Sequence, residues 1–326
     1  MAGELRGGID LGGTKIQAVV VDAGNRVLGE ARHPTPTAGG PRDVAGELVR
    51  AMEEAASAAG VPTAELEGVG VGAPGATDAR AGTVTSAGNL PGWSGTFPLA
   101  QALAEPLGTR IVLGNDVQVA TDAEAELGAA REFSSLLGVF WGTGVGGGVV
   151  LDGRPWVGRG AAGEIGHVVV KVGGARCPCG RRGCMEAYAG RRAMEDRARR
   201  RVEKGERTVL FDLMEHKGRT RLTSGIWARA LERDDKLATE LIDEALAALG
   251  AGVASACNVL DVECVVIGGG LGVRLGEPYA QRIAEAMRPH LFFEEMPVVR
   301  TAQLGDLGGA VGAALLARDA RELAPA

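Results

Sequence analysis

The sequence predicts an α/β fold made of two lobes with a cleft between them. At 326 residues the chain is longer than one hydrophobic core usually supports. Strand-like apolar segments alternate along it with helix-like ones, which is typical of α/β proteins. A strand–turn–strand pattern near the start also recurs 130 residues later, so we expect a duplicated fold.

The first element is a strand, a tight turn and a second strand over residues 7–22. Apolar β-forming residues lie on both sides of the turn Gly12-Gly13-Thr14. Five residues recur as the same type 130 positions later: Gly8, Gly12, Val19, Val20 and Asp22 correspond to Gly138, Gly142, Val149, Val150 and Asp152. Asp10 corresponds to Phe140, so we expect the copies to share geometry but not chemistry.

Helices and shorter strands follow in alternation. Apolar residues at helical spacing over 44–60 end on a glycine with a proline two positions later, which is a helix-stop signal. Strands are expected at 66–72, 110–113 and 263–267, a basic helix at 186–204 and an alanine- and leucine-rich helix at 235–259. Ligands of α/β sheets bind at loops after the carboxyl ends of strands, so those loops are the candidate sites.

Composition and charge exclude several classes of protein. The hydrophobic fraction of 45% and the charged fraction of 23% are those of a globular protein. The formal charge of −6 gives no general attraction to nucleic acid, whose phosphates bind basic surfaces. The longest run free of charged and strongly polar residues, 136–151, is shorter than the ~20 residues that span a bilayer. The charged start of the chain does not resemble a secretory signal, so a cytoplasmic location is expected.

Two glycine-rich turns are candidate phosphate-binding loops. Their residues are Gly12, Gly13, Thr14 and Lys15 in the first turn and Gly142, Thr143 and Gly144 in the second. Glycine lets backbone N–H groups approach a phosphate, and threonine hydroxyls add donors. Each turn leads into a strand and not a helix, so neither is a Walker loop, and either one alone is also explained as a β-turn. Two such loops, with Asp10 placed to hold Mg²⁺ through water, favour a nucleoside triphosphate as ligand.

A cluster of soft ligands predicts a metal site. His167, Cys177, Cys179 and Cys184 offer one imidazole and three thiolates, with glycine and proline at the bends between them. Four protein ligands fill the tetrahedral shell of Zn²⁺, so the zinc should be structural. A disulfide is the alternative, but a Cys-x-Cys pair is awkward for one and a cytoplasmic setting opposes it. The other two cysteines lack a nearby histidine and are expected to be buried apolar residues.

Two glutamates flank this cluster. Glu164 precedes His167 by three residues, and Glu186 follows Cys184 by two, so a metal that fixes the loop would also fix both acids. A zinc-bound imidazole has its second N–H available as a donor. Acids and donors in this arrangement suit a polyol. The alternative is that both glutamates are solvated loop charges.

Asp116 follows the expected strand at 110–113, in the sequence Gly114-Asn115-Asp116. An aspartate there can accept a hydroxyl proton as the oxygen attacks phosphorus, and Asn115 can hold a neighbouring hydroxyl. The alternative is a helix cap, because residues 117–127 have a helical pattern and aspartate is a favoured cap. The spacing alone favours the cap.

Taken together, these motifs resemble the ROK family (repressor, open reading frame, kinase), and within it most closely the bacterial glucokinases. The resemblance covers nearly the whole chain. Its motifs are Asp10-Leu-Gly-Gly-Thr-Lys15, Gly72-Ala-Pro-Gly75, Asn89-Leu-Pro-Gly-Trp93, Asn115-Asp116, Gly142-Thr-Gly-Val-Gly-Gly-Gly148, Gly163-Glu-Ile-Gly-His167, Cys177-Pro-Cys-Gly-Arg-Arg-Gly-Cys-Met-Glu186 and Gly268-Gly-Gly270. Where family members often read Asn-Asp-Ala-Asn, this chain has Asn115-Asp116-Val117-Gln118.

The resemblance implies an actin-like, ATP-dependent hexokinase fold of two ribonuclease-H-like units, and it assigns roles by position. Asp116 becomes the general base on the 6-hydroxyl of glucose. The other sugar hydroxyls are assigned to Asn89, Asn115, Glu164, His167 and Glu186. Phosphates are assigned to Thr14, Thr143 and their glycines with Asp10 near Mg²⁺, and adenosine to Gly268, Gly269 and Gly270. A small lobe of residues 1–117 and 308–326 and a large lobe of residues 118–307 are expected.

Several alternatives stay open at this point. Family repressors carry an N-terminal helix-turn-helix, whereas about seven residues precede the first strand here, so DNA binding is not expected. The substrate could be another hexose or an N-acetylhexosamine such as N-acetylmannosamine, and the donor could be polyphosphate. A sugar-sensing regulator without catalysis would not need Asp10 or Asp116. Relatives are commonly dimers or tetramers, so a homo-oligomer is expected.

Overall fold

The computed structural model describes residues 4–88 and 90–319 of the chain. These residues divide into two compact units. The first unit comprises the described residues up to Gly128, the segment Val157–Ala162 and the chain from Gln303 onward. The second unit comprises Ala129–Trp156 and Gly163–Ala302.

The strands of the described residues form three sheets. They are β1 (Arg6–Leu11), β2 (Lys15–Val21), β3 (Val27–Pro34), β4 (Val69–Ala73), β5 (Ala76–Asp78), β6 (Thr83–Thr85), β7 (Thr96–Phe97), β8 (Ile111–Asn115), β9 (Leu136–Trp141), β10 (Val145–Leu151), β11 (Arg154–Pro155), β12 (Cys264–Gly268) and β13 (Val298–Thr301).

The helices lie between and after these strands. They are α1 (Pro41–Ala58), α2 (Leu99–Leu107), α3 (Asp116–Glu126), α4 (Glu186–Ala189), α5 (Arg191–Glu203), α6 (Leu210–His216), α7 (Ser224–Leu231), α8 (Lys236–Leu260), α9 (Gly269–Leu275), α10 (Glu277–Met287) and α11 (Gly308–Asp319), with 3₁₀ turns at Thr63–Glu65, Ile165–His167, Arg288–His290 and Gly305–Leu307. None of the described helices has the length and apolar character that crossing a bilayer requires.

The main sheets of the two units have the same topology. The first has the strand order β3-β2-β1-β4-β8 and the second the order β11-β10-β9-β12-β13. In each sheet the second strand of the hairpin is antiparallel to both its neighbours, whereas the other four strands run in the same direction. The predicted duplication of the fold is therefore confirmed. The third sheet, β5-β6-β7, is a small antiparallel addition to the first unit.

The two hairpins differ by one residue in their turns. In the first, Leu11 pairs with Ile16, whereas in the second Trp141 pairs with Val145. The second turn is therefore one residue shorter, and the position that Val19 occupies in the first sheet is occupied by Gly148 in the second. The constant shift of 130 residues read from the sequence is thus correct for β1 and β9 but one residue too large for β2 and β10.

The first unit is a sheet with helices on both faces. Successive residues of a strand point to opposite faces, and in β2 Ile16, Ala18 and Val20 join the core with α1 and α2. Val19 and Val21 pack on the other face against α11. A Cβ at Gly70 would lie 1.7 Å from Ala313 O, so the backbone of α11 rests directly on the sheet.

The second unit packs its sheet against a larger set of helices. Its core combines residues of β9, β10 and β12 with the long helix α8 and the helices around it. The predicted basic helix at 186–204 is interrupted at Gly190, whose backbone is extended (φ −58°, ψ 129°). This break lets the N–H groups of Arg191 and Arg192 donate to Gly142 O and Thr143 O, both at 3.1 Å.

Candidate functional site

The first glycine-rich turn is held in a fixed shape by its own backbone and by Thr35. Gly12 N–H donates to Lys15 O at 3.0 Å, which closes the turn between β1 and β2. The buried Thr35 donates its hydroxyl to Gly12 O at 2.6 Å and its N–H to Thr14 O at 3.3 Å. Gly13 and Thr14 remain exposed at the tip, where their donors can meet a ligand. Sequence reasoning missed Thr35, which no motif marks.

Asp10 is an acid with a perturbed proton affinity at the end of β1. Burial raises its pKa from 3.8 to about 6, the charge of Lys15 opposes that rise, and the charge of Asp306 adds to it. Lys15 Nζ lies 3.3 Å from Asp306 Oδ1 and also donates to Gln17 Oε1. A Cβ at Gly309 would lie 2.8 Å from Asp10 Cγ, so a glycine is needed where the start of α11 passes the carboxyl group.

Asn115, and not Asp116, is the N-cap of α3. Asn115 Oδ1 accepts the N–H groups of Val117 and Gln118 at 3.0 and 3.2 Å. Asp116 is the first helical residue, and its Oδ1 accepts the same Val117 N–H at 3.0 Å. The alternative in which Asp116 serves as the cap is therefore wrong, because its neighbour fills that position. Within the described residues the amide Nδ2 of Asn115 has no hydrogen-bond partner, so it can donate to a ligand.

Asp10 and Asp116 belong to the same edge of the first sheet. Asp10 pairs with Gly72 across β1 and β4, and Gly72 pairs with Gly114 across β4 and β8. Two strand spacings amount to about 10 Å, and all three strands end at this edge. A Cβ at Gly72 would lie 3.4 Å from Asp116 Cα, so this glycine keeps the space beside the aspartate open. Asn89, which was also predicted to bind sugar, lies outside the described residues.

The second glycine-rich turn is tied to Glu186. Gly142 N–H donates to Gly144 O at 3.0 Å, and Val145 N–H donates to Glu186 Oε2 at 2.9 Å. A Cβ at Gly144 would lie only 2.2 Å from that carboxylate oxygen. Glu186 is therefore fixed to the loop and is not a solvated charge, which contradicts the alternative weighed from the sequence. Glu164 differs from it, because its carboxylate is exposed.

The glycines after β12 meet this second turn. Gly269 has a φ of +77°, and a Cβ there would lie 2.7 Å from the backbone N of Trp141. A Cβ at Gly142 would lie 3.7 Å from the backbone N of Gly270. The carboxyl ends of β9 and β12 thus bring the two glycine segments predicted to bind ATP next to each other.

The four predicted metal ligands form one cluster. The ligand atoms of His167, Cys177, Cys179 and Cys184 all lie within 4.8 Å of one another. Cys179 Sγ is 3.7 Å from Cys184 Sγ, and Cys177 Sγ is 3.8 Å from His167 Nδ1. Four atoms about 2.3 Å from a central ion form a tetrahedron with edges of about 3.8 Å. All five cysteines are free thiols, so the disulfide alternative is wrong. The donor set and its spacing fit Zn²⁺.

The local fold explains why the cluster can form. Gly180 N–H donates to Cys177 O at 3.0 Å, which closes a tight turn, and Cys177 N–H donates to Arg181 O at 2.8 Å. His167 approaches with Nδ1, while its Nε2 lies 3.8 Å from a carboxylate oxygen of Glu164. Glu186 Oε1 lies 3.8 Å from Cys177 Sγ, so this acid joins the cluster to the second glycine turn.

The structure therefore groups the predicted site residues by unit. The first unit brings together Asp10, Gly12, Gly13, Thr14, Lys15, Asn115 and Asp116. The second unit brings together Gly142, Thr143, Gly144, His167, Cys177, Cys179, Cys184, Glu186, Gly268, Gly269 and Gly270, with Glu164 beside His167.

Comparison with known proteins identifies the family of the chain. Residues 6–320 match the model of the ROK family. The protein belongs to the ROK family. The chain is 31% identical over 317 residues to a glucokinase of Thermotoga maritima, covering 96% of each chain. It is also 31% identical over 323 residues to an N-acetyl-D-glucosamine kinase of Pectobacterium atrosepticum, covering 95% of this chain and 97% of that one.

Solved structures of this family have the same fold. A ROK hexokinase from Thermus thermophilus is 37% identical, with a TM-score of 0.80 over 98% of this chain and 100% of that one. A ROK glucokinase from Streptomyces griseus, solved with glucose and AMPPNP, is 31% identical, with a TM-score of 0.83 over 97% of this chain and 99% of that one. The chain has the actin-like ATPase fold of these hexokinases, as predicted.

Proposed function

We propose that this ROK-family protein is an ATP-dependent glucokinase that phosphorylates glucose at its 6-hydroxyl. Family membership and relatives that are sugar kinases over nearly the whole chain support a sugar kinase. The finer choice of glucose rests on the glucokinases among the relatives and on the Streptomyces griseus structure with glucose and AMPPNP. The proposal keeps the small lobe (residues 1–117 and 308–326), the large lobe (residues 118–307) and a homo-oligomer as expectations.

One observation carries the chemistry: the division of roles between Asn115 and Asp116. Because Asn115 caps α3, the helix does not need Asp116 as its cap. The carboxylate of Asp116 is thereby placed where β8 ends, at the edge where Asp10 and the first glycine turn also lie. A carboxylate at the start of a helix, beside a phosphate-binding turn, is placed to accept a proton from an attacking alcohol.

In the proposed reaction Asp116 accepts the proton of the sugar 6-hydroxyl while that oxygen attacks the γ-phosphorus of ATP in line. The bond between this phosphorus and the oxygen it shares with the β-phosphate breaks, and ADP leaves. Transition states of this kind are loose, so most of the rate enhancement comes from positioning and charge stabilisation. Gly12 to Lys15 and Gly142 to Gly144 would provide the phosphate donors. Mg²⁺ bound with the nucleotide would neutralise phosphate charge, and Asp10 is the acid placed to hold it.

We assign the remaining sugar hydroxyls to Asn89, Asn115, Glu164, His167 and Glu186. His167 supports this assignment through its geometry, since Nδ1 faces the cysteines while Nε2 is left to donate to an oxygen. Bound Zn²⁺ would act structurally, by holding His167 and the hairpin that carries Glu186. The Nδ2 of Asn115 would donate to a hydroxyl next to the one that reacts.

A panel of sugars crossed with two donors tests the proposal. Purified protein is incubated with glucose, mannose, fructose, allose, N-acetylglucosamine or N-acetylmannosamine, each with ATP or with polyphosphate, and phosphorylated product is followed. We expect the highest kcat/KM for glucose with ATP. A higher value for an N-acetylhexosamine, the substrate class of some relatives, or for polyphosphate would correct the substrate or the donor. Binding of sugar without turnover would favour a sugar-sensing regulator.

The variant Asp116→Asn tests the base. Its kcat should fall by about 10²–10⁴-fold with glucose affinity roughly intact, because general base catalysis contributes that order. Asp122→Asn is the matched control, since Asp122 lies on the same helix and accepts Gln118 Nε2 at 2.6 Å. Turnover of Asp116→Asn within a few-fold of the control would refute the assignment.

A further inference from the structure

The second glycine turn has a cationic neighbour that no motif marks, Arg191. It is the first residue of α5, directly after the extended Gly190. Its N–H donates to Gly142 O and that of Arg192 to Thr143 O, both at 3.1 Å. These amide donors are occupied by the turn itself, so the helix terminus does not offer them to a ligand.

The side chain of Arg191 lies over the same turn. Nη2 donates to Thr143 Oγ1 at 3.0 Å, and Nη1 donates to Ser224 Oγ at 2.7 Å. A guanidinium carries five N–H donors in a rigid fork, so three of them remain without a partner among residues 4–88 and 90–319. Both hydroxyls act as acceptors toward Arg191, which turns their own O–H donors toward another acceptor. The group therefore presents several donors next to the predicted phosphate loop.

The charge of Arg191 is only partly compensated by its neighbours. Within the described part of the chain no carboxylate oxygen lies within 4.0 Å of its guanidinium, unlike that of Arg199 on the same helix, which pairs with Glu195 at 2.7 Å. Glu195 is further engaged by Leu222 N–H at 2.9 Å and by Arg221 at 3.4 Å. Burial lowers the pKa of Arg191, partly offset by the charge of Glu195. A half-buried cation held by two neutral hydroxyls is most simply matched by an anion that binds later.

We propose that Arg191 binds the phosphate chain of the phosphoryl donor, positioned for this by Thr143 and Ser224. The inference rests on the proposed function, because the donor is taken to be the ATP of that reaction. The planar fork of arginine matches two oxygens of one phosphate group, which a lysine ammonium does not. Arg191 thus adds charge and direction to a turn whose other donors are neutral backbone and hydroxyl groups.

The alternative is that Arg191 only ties the turn to α7 and contacts no ligand. The two roles differ in how the effect of a substitution depends on the ligand. Loss of a phosphate contact weakens only the ligands that carry phosphate, whereas loss of a tie between elements weakens nucleoside and nucleotide binding alike.

The test uses the variants Arg191→Met and Arg191→Lys, with Arg192→Met as control. Arg192 is adjacent to Arg191 and carries the same charge, but its side chain is exposed. Dissociation constants for AMPPNP, ADP and adenosine are measured by calorimetry, and the unfolding temperature of each unliganded variant is recorded. Arg191→Met should weaken AMPPNP and ADP binding by about 10- to 100-fold, the usual range for a charged hydrogen-bonding group. Adenosine affinity should stay within twofold, and Arg192→Met should bind all three like the parent.

Equal loss for adenosine and AMPPNP, or no loss for either, would overturn the inference. If Arg191→Met does not fold, Arg191→Lys decides, because it keeps the charge but not the fork. It should bind AMPPNP several-fold more weakly and adenosine normally, and unchanged AMPPNP binding would overturn the inference. In a second series of measurements tripolyphosphate replaces AMPPNP. This comparison distinguishes the triphosphate group of ATP from polyphosphate as the ligand of Arg191. If the unaltered protein binds AMPPNP with Arg191-dependent affinity but phosphorylates no sugar, the proposed function fails while the inference stands.

Discussion

Replacing Asp10 by asparagine should make the protein more stable and less active. The folded state raises the pKa of this carboxyl from 3.8 to about 6, chiefly through burial. A shift of about two units corresponds to about 3 kcal/mol that ionised Asp10 costs the folded state at neutral pH. Asparagine keeps the size of the side chain but carries no charge, so Asp10→Asn should recover up to that amount.

The raised pKa of Asp10 determines how the stability difference between Asp10→Asn and the parent changes with pH. Below about pH 4 Asp10 is protonated in both the folded and the unfolded chain, so variant and parent should be equally stable. Between about pH 4 and pH 6 the unfolded chain loses this proton more readily, and the advantage of Asp10→Asn should grow. Above about pH 6 Asp10 is ionised in both the folded and the unfolded chain, so the stability advantage of Asp10→Asn should be constant. Denaturant unfolding across this range, without Mg²⁺ and nucleotide, measures the difference.

The experiment has a control variant and a result that would refute the reasoning. Asp306→Asn removes a nearby acid that is 74% exposed and pairs with Lys15 at 3.3 Å, so it should change stability by less than about 1 kcal/mol. Asp10→Asn should also lower kcat with ATP and Mg²⁺, if this acid acts beside the metal as proposed. An Asp10→Asn protein no more stable than the parent at pH 7.5, or an advantage that does not vary with pH, would refute the reasoning.

Three further predictions concern the metal cluster and the two turns. Cys179→Ala should lose bound zinc and weaken both glucose affinity and stability, whereas Cys257→Ala, outside the cluster, should keep the metal. Elemental analysis measures the zinc content and calorimetry the glucose affinity. Normal glucose affinity in a metal-free preparation would contradict the prediction. Gly269→Ala should destabilise the protein by about 2 kcal/mol or more, because its φ of +77° and its contact with backbone exclude a Cβ; an unfolding curve like that of the parent would count against it. Thr35→Val should weaken AMPPNP binding several-fold, since Gly12 O loses its hydroxyl donor; unchanged binding would show that Thr35 does not shape the turn.

The elements that sequence could predict are those defined by local spacing. The four predicted zinc ligands lie within 18 positions of one another, and the geometry of a tetrahedral shell restricts which residues can share it. Asn115 and Asp116 lie where a recognisable strand ends. The duplicated sheet could also be seen, because glycines and valines recur at nearly the same interval.

The remaining features depend on contacts between distant parts of the chain. Glu186 reaches Val145 N–H from 41 positions away, and Arg191 reaches Ser224 from 33 positions away. Neither pairing follows from periodicity or residue type. The register of the second hairpin was missed because matching identities do not reveal that a turn has lost one residue.

The position of α11 has a consequence for the order in which the protein is made. This helix comes from the far end of the described chain, yet it covers the face of the first sheet that carries Val19 and Val21. A ribosome releases the strands of that sheet first and α11 some 200 residues later. During synthesis the face of the first sheet that carries Val19 and Val21 therefore stays uncovered until α11 emerges. By then the segments of the second unit have already emerged and can collapse on their own. A nascent chain stalled before residue 308 should expose that surface to chaperones.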